Sequence, residues 1–161
     1  MSLNHFDADG RAHMVDVGDK DVTDRRAVAE AVVHLGADVL ATVLDRRANK
    51  GDVLGVARLA GIAAVKRTAD LIPLAHPLAV HHVAVDLEPD RARGRLRVTC
   101  GVRARERTGV EMEAMTGAAV AALTVYDMVK GLSRDVEIGA VRLLEKSGGR
   151  SGAWRRGQEA P

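Results

Sequence analysis

Alternation of apolar and polar positions is the clearest pattern in the chain. Between Val80 and Leu87, the residues Val83, Val85 and Leu87 share one face, which predicts a half-buried strand. Residues 95–105 alternate again, with Leu96, Val98, Cys100 and Val102 inward and Arg95, Arg97, Thr99, Arg103 and Arg105 mostly outward. Pro89 to Gly94, between the two, reads as a hairpin turn. The run 27–35 mixes helix-favouring alanine with Val28, Val32 and Val33, and its short length before Gly36 favours a strand. The period then changes. Val39, Leu40, Val43 and Leu44 form one apolar face of a helix over 37–47.

Asn49-Lys50-Gly51 reads as a turn, and Asp52 stands where the N-cap of a second helix belongs, running to about Ala69. Pro73 and Pro77 bracket Leu74-Ala75-His76 in a rigid loop. A third helix is predicted over Glu111 to Leu132, and a last strand over Val136 to Leu144, followed by a glycine-rich stretch. Residues 1–24 read as partly irregular, with a polar and mobile loop over 18–26, and residues 153–161 as a flexible tail. The predicted order β, α, α, β, β, α, β describes a single α+β domain over 1–161. Its expected form is a ferredoxin-like layered domain, an antiparallel sheet with helices packed on one face.

Composition narrows the class. The 161 residues suit one domain, and 47% hydrophobic content suits a packed core. No apolar run approaches the ~18 residues of a membrane span, and no secretory pattern opens the chain, so the expectation is a soluble cytoplasmic protein with no membrane partner. Cys100 is the one cysteine, which excludes an internal disulfide and a cysteine-based zinc site. The charge is +2, from 24 basic and 22 acidic residues, and the aromatics are Phe6, Tyr126 and Trp154. Nucleic acid is therefore not an expected partner, because it calls for a basic surface or stacking platforms. Among the basic residues arginine predominates, 19 to 5, so the lysines at 20, 50, 66, 130 and 146 stand out as positions that keep a compact, titratable ammonium.

Three constellations carry candidate chemistry. On the third helix, Asp127 and Lys130 are three apart and share a face, as an acid/base pair or as a plain surface ion pair. Glu111 and Glu113 open the same helix, where its dipole favours carboxylates in any case. Glu113 and Asp127 lie 14 residues apart, about 21 Å along a helix axis. A small substrate that needs both ends requires an extended site or one shared between chains, which favours a homo-oligomer. The second constellation is His76 in its proline-bracketed loop, beside Arg58, Lys66, Arg67 and Asp70. His76, His81 and His82 make a poor metal set, since neighbours on a strand point to opposite faces. The third is a set of basic loops, Arg25-Arg26, Lys50-Gly51 and Lys146 to Gly152, suited to a small polyanion or simply mobile.

Longer motifs are more specific. Ala12-His13-Met14-Val15-Asp16-Val17, Lys50-Gly51-Asp52-Val53, Lys66 to Leu74, Thr108 to Ala114, Ala121 to Met128 and Arg142 to Gly149 resemble, in order and over nearly the whole chain, the molybdenum cofactor biosynthesis protein C family of cyclic pyranopterin monophosphate synthases. The resemblance implies a ferredoxin-like fold, a hexamer built as a trimer of dimers with sites at the dimer interface, and no metal or organic cofactor. It implies conversion of the GTP-derived nucleotide 3′,8-cyclo-7,8-dihydroguanosine 5′-triphosphate to cyclic pyranopterin monophosphate and pyrophosphate. By the same resemblance Asp127, Lys130 and Lys50 are catalytic. Leu74, Ala75, His76, Glu111, Met112, Glu113, Arg25 and Lys146 bind substrate. Two positions depart from the family pattern: Ala75 and Val129 stand where cysteine is common, so if the function is kept neither thiol is essential. The rival reading is a non-catalytic module that senses a nucleotide at a subunit interface.

Overall fold

The computed structural model describes residues 5–7, 9–48 and 50–158. Asn49 of the expected turn, and the ends of the two expected terminal segments (1–4 and 159–161, with residue 8), lie outside that range. The elements are β1 (Thr23–His34), α1 (Ala37–Leu44), α2 (Val53–Val65), α3 (Thr68–Leu71), β2 (Val80–Asp90), β3 (Arg95–Glu106), α4 (Glu111–Val129), β4 (Glu137–Ser147) and β5 (Trp154–Arg155). All strand pairs are antiparallel, in the order β2-β3-β1-β4-β5. Helices α2 and α4 supply the two long crossovers and pack together against the sheet. This is the expected α+β, ferredoxin-like layering.

The core is built from small residues. Ala27, Ala29 and Ala31 of β1 face Ala114, Ala118, Ala121 and Ala122 of α4, all fully buried or nearly so. Methyl groups at these positions let the helices approach the sheet closely, and Leu96, Val98 and Val102 of β3 fill what remains. Gly117 shows how tight the fit is. A Cβ there would fall 2.5 Å from Cys100 Sγ and 2.7 Å from Val65 Cγ2. Cys100 is part of this packing, and burial pushes its thiol up to about 12.

Several element boundaries differ from expectation, each for a local reason. β1 begins at Thr23, so residues 23–26 are strand and not loop. Their partners are on β3: Arg25 pairs with Ala104 and Arg26 with Arg103, while Asp24 accepts a 2.8 Å bond from Arg103 Nε. The second helix stops at Val65, because the Thr68 hydroxyl donates to the Val65 carbonyl (3.0 Å) and the chain turns before α3. Asp52 caps α2 as expected, its side chain accepting from Gly55 N at 3.0 Å. The third predicted helix ends at Val129, three residues early. Pro89 belongs to β2, paired with Leu96, and the turn is the 3-10 segment Arg91–Arg93 closed by Gly94 at φ +58°. Proline is tolerated there because β2 is an edge strand. β4 runs on to Ser147, and Trp154–Arg155, in the segment expected as a tail, adds a short edge strand held by a 2.8 Å Arg155–Glu145 ion pair.

Candidate functional site

The long helix α4 organises the polar chemistry. Near its C-terminal end Asp127 lies between two lysines: Lys130 Nζ is 2.8 Å from Oδ1 and Lys50 Nζ is 3.0 Å from Oδ2. Lys50 also donates to the Asp127 carbonyl at 2.8 Å, so it partly caps the last turn of the helix. Lys130, then Lys50, lower the Asp127 carboxyl below its ordinary value, and Asp127 in turn raises Lys130. The group is therefore one carboxylate and two ammoniums, carrying a net positive charge. All three side chains are about half exposed. They have ready access to a ligand, and their mutual attraction contributes little to stability.

The second group gathers at the opposite end of α4. Lys146 Nζ, from the end of β4, lies 3.2 Å from Glu111 Oε1 and donates to Ser151 Oγ at 2.7 Å. Met112 stands partly exposed in the same first turn. Glu113 is buried, 3% exposed, and is in no ion pair among the described residues. Burial, with a smaller contribution from the Glu111 charge, raises its carboxyl to about 7.

Arg25 and the His76 loop belong to this same end, and Glu106 is the link. The guanidinium of Arg25 donates through Nε to the Glu106 carbonyl (3.2 Å) and through a terminal nitrogen to the Arg107 carbonyl (3.1 Å). The Glu106 side chain accepts from Ala79 N at 3.0 Å, which ties down the loop that carries Leu74, Ala75 and His76. Gly148 and Gly149, at φ +99° and +71°, bring the segment after β4 against Asp24 and Arg25, where a Cβ at Gly149 would collide with the guanidinium. Both anchors of Arg25 are uncharged, and no carboxylate among the described residues pairs with it, so its charge is available to an anion. His76 Nε2 lies 2.7 Å from the Val15 carbonyl.

The residues singled out in the sequence thus form two groups in one chain. Lys50, Asp127 and Lys130 make one, and Arg25, Leu74, Ala75, His76, Glu111, Met112, Glu113 and Lys146 the other. Glu111 and Asp127 are 16 residues apart on one helix, about 24 Å. Sequence reasoning missed Glu106, Ser151 and the Val15 carbonyl. The alternation of β3 does place Glu106 on the helix-facing side, but its two bonds depend on contacts distant in sequence.

Two open hollows, about 900 and 840 Å³, lie on the sheet face away from the helices. They are lined by Val28, Arg103 and Trp154 in one and by Glu30, Arg97 and Arg142 in the other, and of the candidate site residues only Lys146 borders either. Among the described residues no three His, Cys, Asp or Glu side chains are grouped to hold a metal, and no helix is long and apolar enough to cross a membrane.

Fold and polar groups together define an α+β layered protein whose candidate site residues gather at the two ends of one helix. The MoaC family matches residues 14–149, and the chain belongs to that family. It is 61% identical over 156 residues to the cyclic pyranopterin monophosphate synthase of Geobacter sulfurreducens, covering 97% of this chain and 98% of the relative. Relatives of the same name from Geotalea uraniireducens and Geobacter metallireducens are 60% and 59% identical, each covering 99% of this chain and 99% and 100% of the relative.

Proposed function

We propose that this protein acts in molybdenum cofactor biosynthesis as a cyclic pyranopterin monophosphate synthase, taking 3′,8-cyclo-7,8-dihydroguanosine 5′-triphosphate to the cyclic monophosphate and pyrophosphate. The observation that carries the reading is Asp127 held between Lys50 and Lys130. Such a group pairs an ionised base with two cations that can meet phosphate oxygens. In the phosphoryl step a substrate hydroxyl attacks the α-phosphorus and its proton passes to a base, with Asp127 placed to accept it. The bond to the β-phosphate oxygen breaks and pyrophosphate leaves with the electron pair. The lysines stabilise the charge that develops on it. Asp127 and Lys130 exchange protons with the purine-derived ring as it opens and recloses.

The site is completed between subunits of a homo-oligomer, a trimer of dimers. The separation of about 24 Å between Glu111 and Asp127 supports this, since one small nucleotide does not bridge it within a chain. A two-fold axis that pairs two copies of α4 in opposite directions sets the Arg25–Lys146 end of one against the Asp127 end of the other. The test is incubation of the purified protein with the cyclised triphosphate. Pyrophosphate release together with a fluorescent pterin after oxidation is the expected result. Tight nucleotide binding without either product would favour a sensor and remove the catalytic reading. Asp127→Asn should fold and assemble normally yet lose turnover by at least about 100-fold, the usual contribution of a positioned general base.

A further inference from the structure

The strap of chain before β1 makes a contact that the proposed chemistry does not use. Residues 5–7 and 9–13 fold back on each other through a Phe6–Ala12 bridge and a 2.9 Å bond from His13 N to the His5 carbonyl. The strap then crosses the Pro73–Pro77 loop, where the Val15 carbonyl meets His76 Nε2 at 2.7 Å. A turn follows, closed by Gly18 N on Asp16 Oδ1 (2.8 Å) and Lys20 N on the Val17 carbonyl (3.1 Å).

A carbonyl oxygen only accepts hydrogen bonds, so the nitrogen facing it must carry the proton. A neutral imidazole has a single N–H. Once Nε2 holds it, Nδ1 is left with its lone pair. We infer that Val15 is a positioning residue whose main-chain carbonyl fixes His76 as the Nε2–H tautomer and leaves Nδ1 as a hydrogen-bond acceptor. This inference rests on the reading that places His76 at the nucleotide site, and it specifies what His76 recognises there. A lone pair repels phosphate oxygens and pairs with N–H or O–H groups. His76 therefore reads a donor on the ring or sugar of the nucleotide, and the triphosphate is left to Arg25 and the lysines.

The test begins with the full-length protein labelled with ¹⁵N in its six histidines, using two-bond ¹⁵N–¹H correlations with the rings neutral. The His76 signals are those lost in His76→Gln. A protonated Nε2 with an unprotonated Nδ1 is expected, and a protonated Nδ1 or an even mixture would overturn the inference. A second protein replaces Asp16 by its α-hydroxy acid, which turns the Val15 carbonyl into a weaker, ester acceptor. The amide N–H lost with it has no backbone partner among the described residues. The tautomer signal should shift toward a mixture and KM for the nucleotide should rise about 3- to 10-fold with kcat little changed. An unchanged spectrum with an unchanged KM would overturn the positioning role. Absence of pterin product from the unaltered protein would instead remove the synthase reading, and the ring spectrum would still decide the tautomer.

Discussion

Glu113 is the residue whose environment has the plainest consequence. In the unfolded chain it titrates near 4.5, and in the folded one near 7. Between those values the folded state binds more protons, so stability falls as pH rises from about 4.5 to about 7 and stays lower above. Glu113→Gln keeps the shape without the buried charge. It should raise stability at pH 8 by on the order of 1–2 kcal/mol and flatten the slope between pH 5 and 7, measured by urea unfolding across pH. A variant with the slope of the parent would show that Glu113 titrates normally. Single residues were also where the sequence was most legible. Scarcity of lysine singled out five positions; Lys50, Lys130 and Lys146 are in ion pairs with candidate carboxylates, while Lys20 and Lys66 are in none among the described residues. Glu106 gave no such signal, because its importance lies in two neighbours, Arg25 and Ala79, that are remote in the sequence.

For the elements, alternation identified β2 and β3 and periodicity identified α1, because burial on one face imposes those periods, while β1 was legible from its length and valines and α2 from its Asp52 cap. The boundaries depended on partners outside the local window. Residues 23–26 are polar, and pairing with β3, joined at Arg26 by Ser147 of β4, makes them strand. The Thr68 hydroxyl ends α2 where the apolar period continues. Pro89 looks like a turn residue until β2 is known to be an edge. The fit of α2 and α4 on the sheet is equally a property of pairs of elements. Gly117→Ala would gain about 1 kcal/mol of helix propensity but overpack the core by more, for a net loss of about 1–2 kcal/mol in thermal or urea unfolding. Gly117→Ala combined with Cys100→Ala should recover part of that loss, because the Sγ it meets is gone. Simple additivity of the two would show that the contact is not the cause.

For the whole molecule, the division of polar groups between the ends of α4 makes a prediction about assemblies. Asp127→Asn and Arg25→Ala proteins should each be inactive alone. Unfolded and refolded together in equal amounts, they should regain up to about one quarter of the parent turnover, since half of randomly formed pairs are mixed and one of the two sites in each is intact. No recovery, with mixed assemblies verified by mass spectrometry, would place each complete site within one chain. The strand order has a further effect, on how the chain is made. β1 is the first strand synthesised, yet it lies inside the sheet, and its partners β3 and β4 begin about 70 and 110 residues after it. On the ribosome, one edge of this alanine- and valine-rich strand stays unpaired until β3 has emerged, and the other until nearly the whole chain has. The sheet is therefore closed by late, long-range pairings, which fold slowly, and a chain cut short before β4 carries an open edge suited to joining another chain.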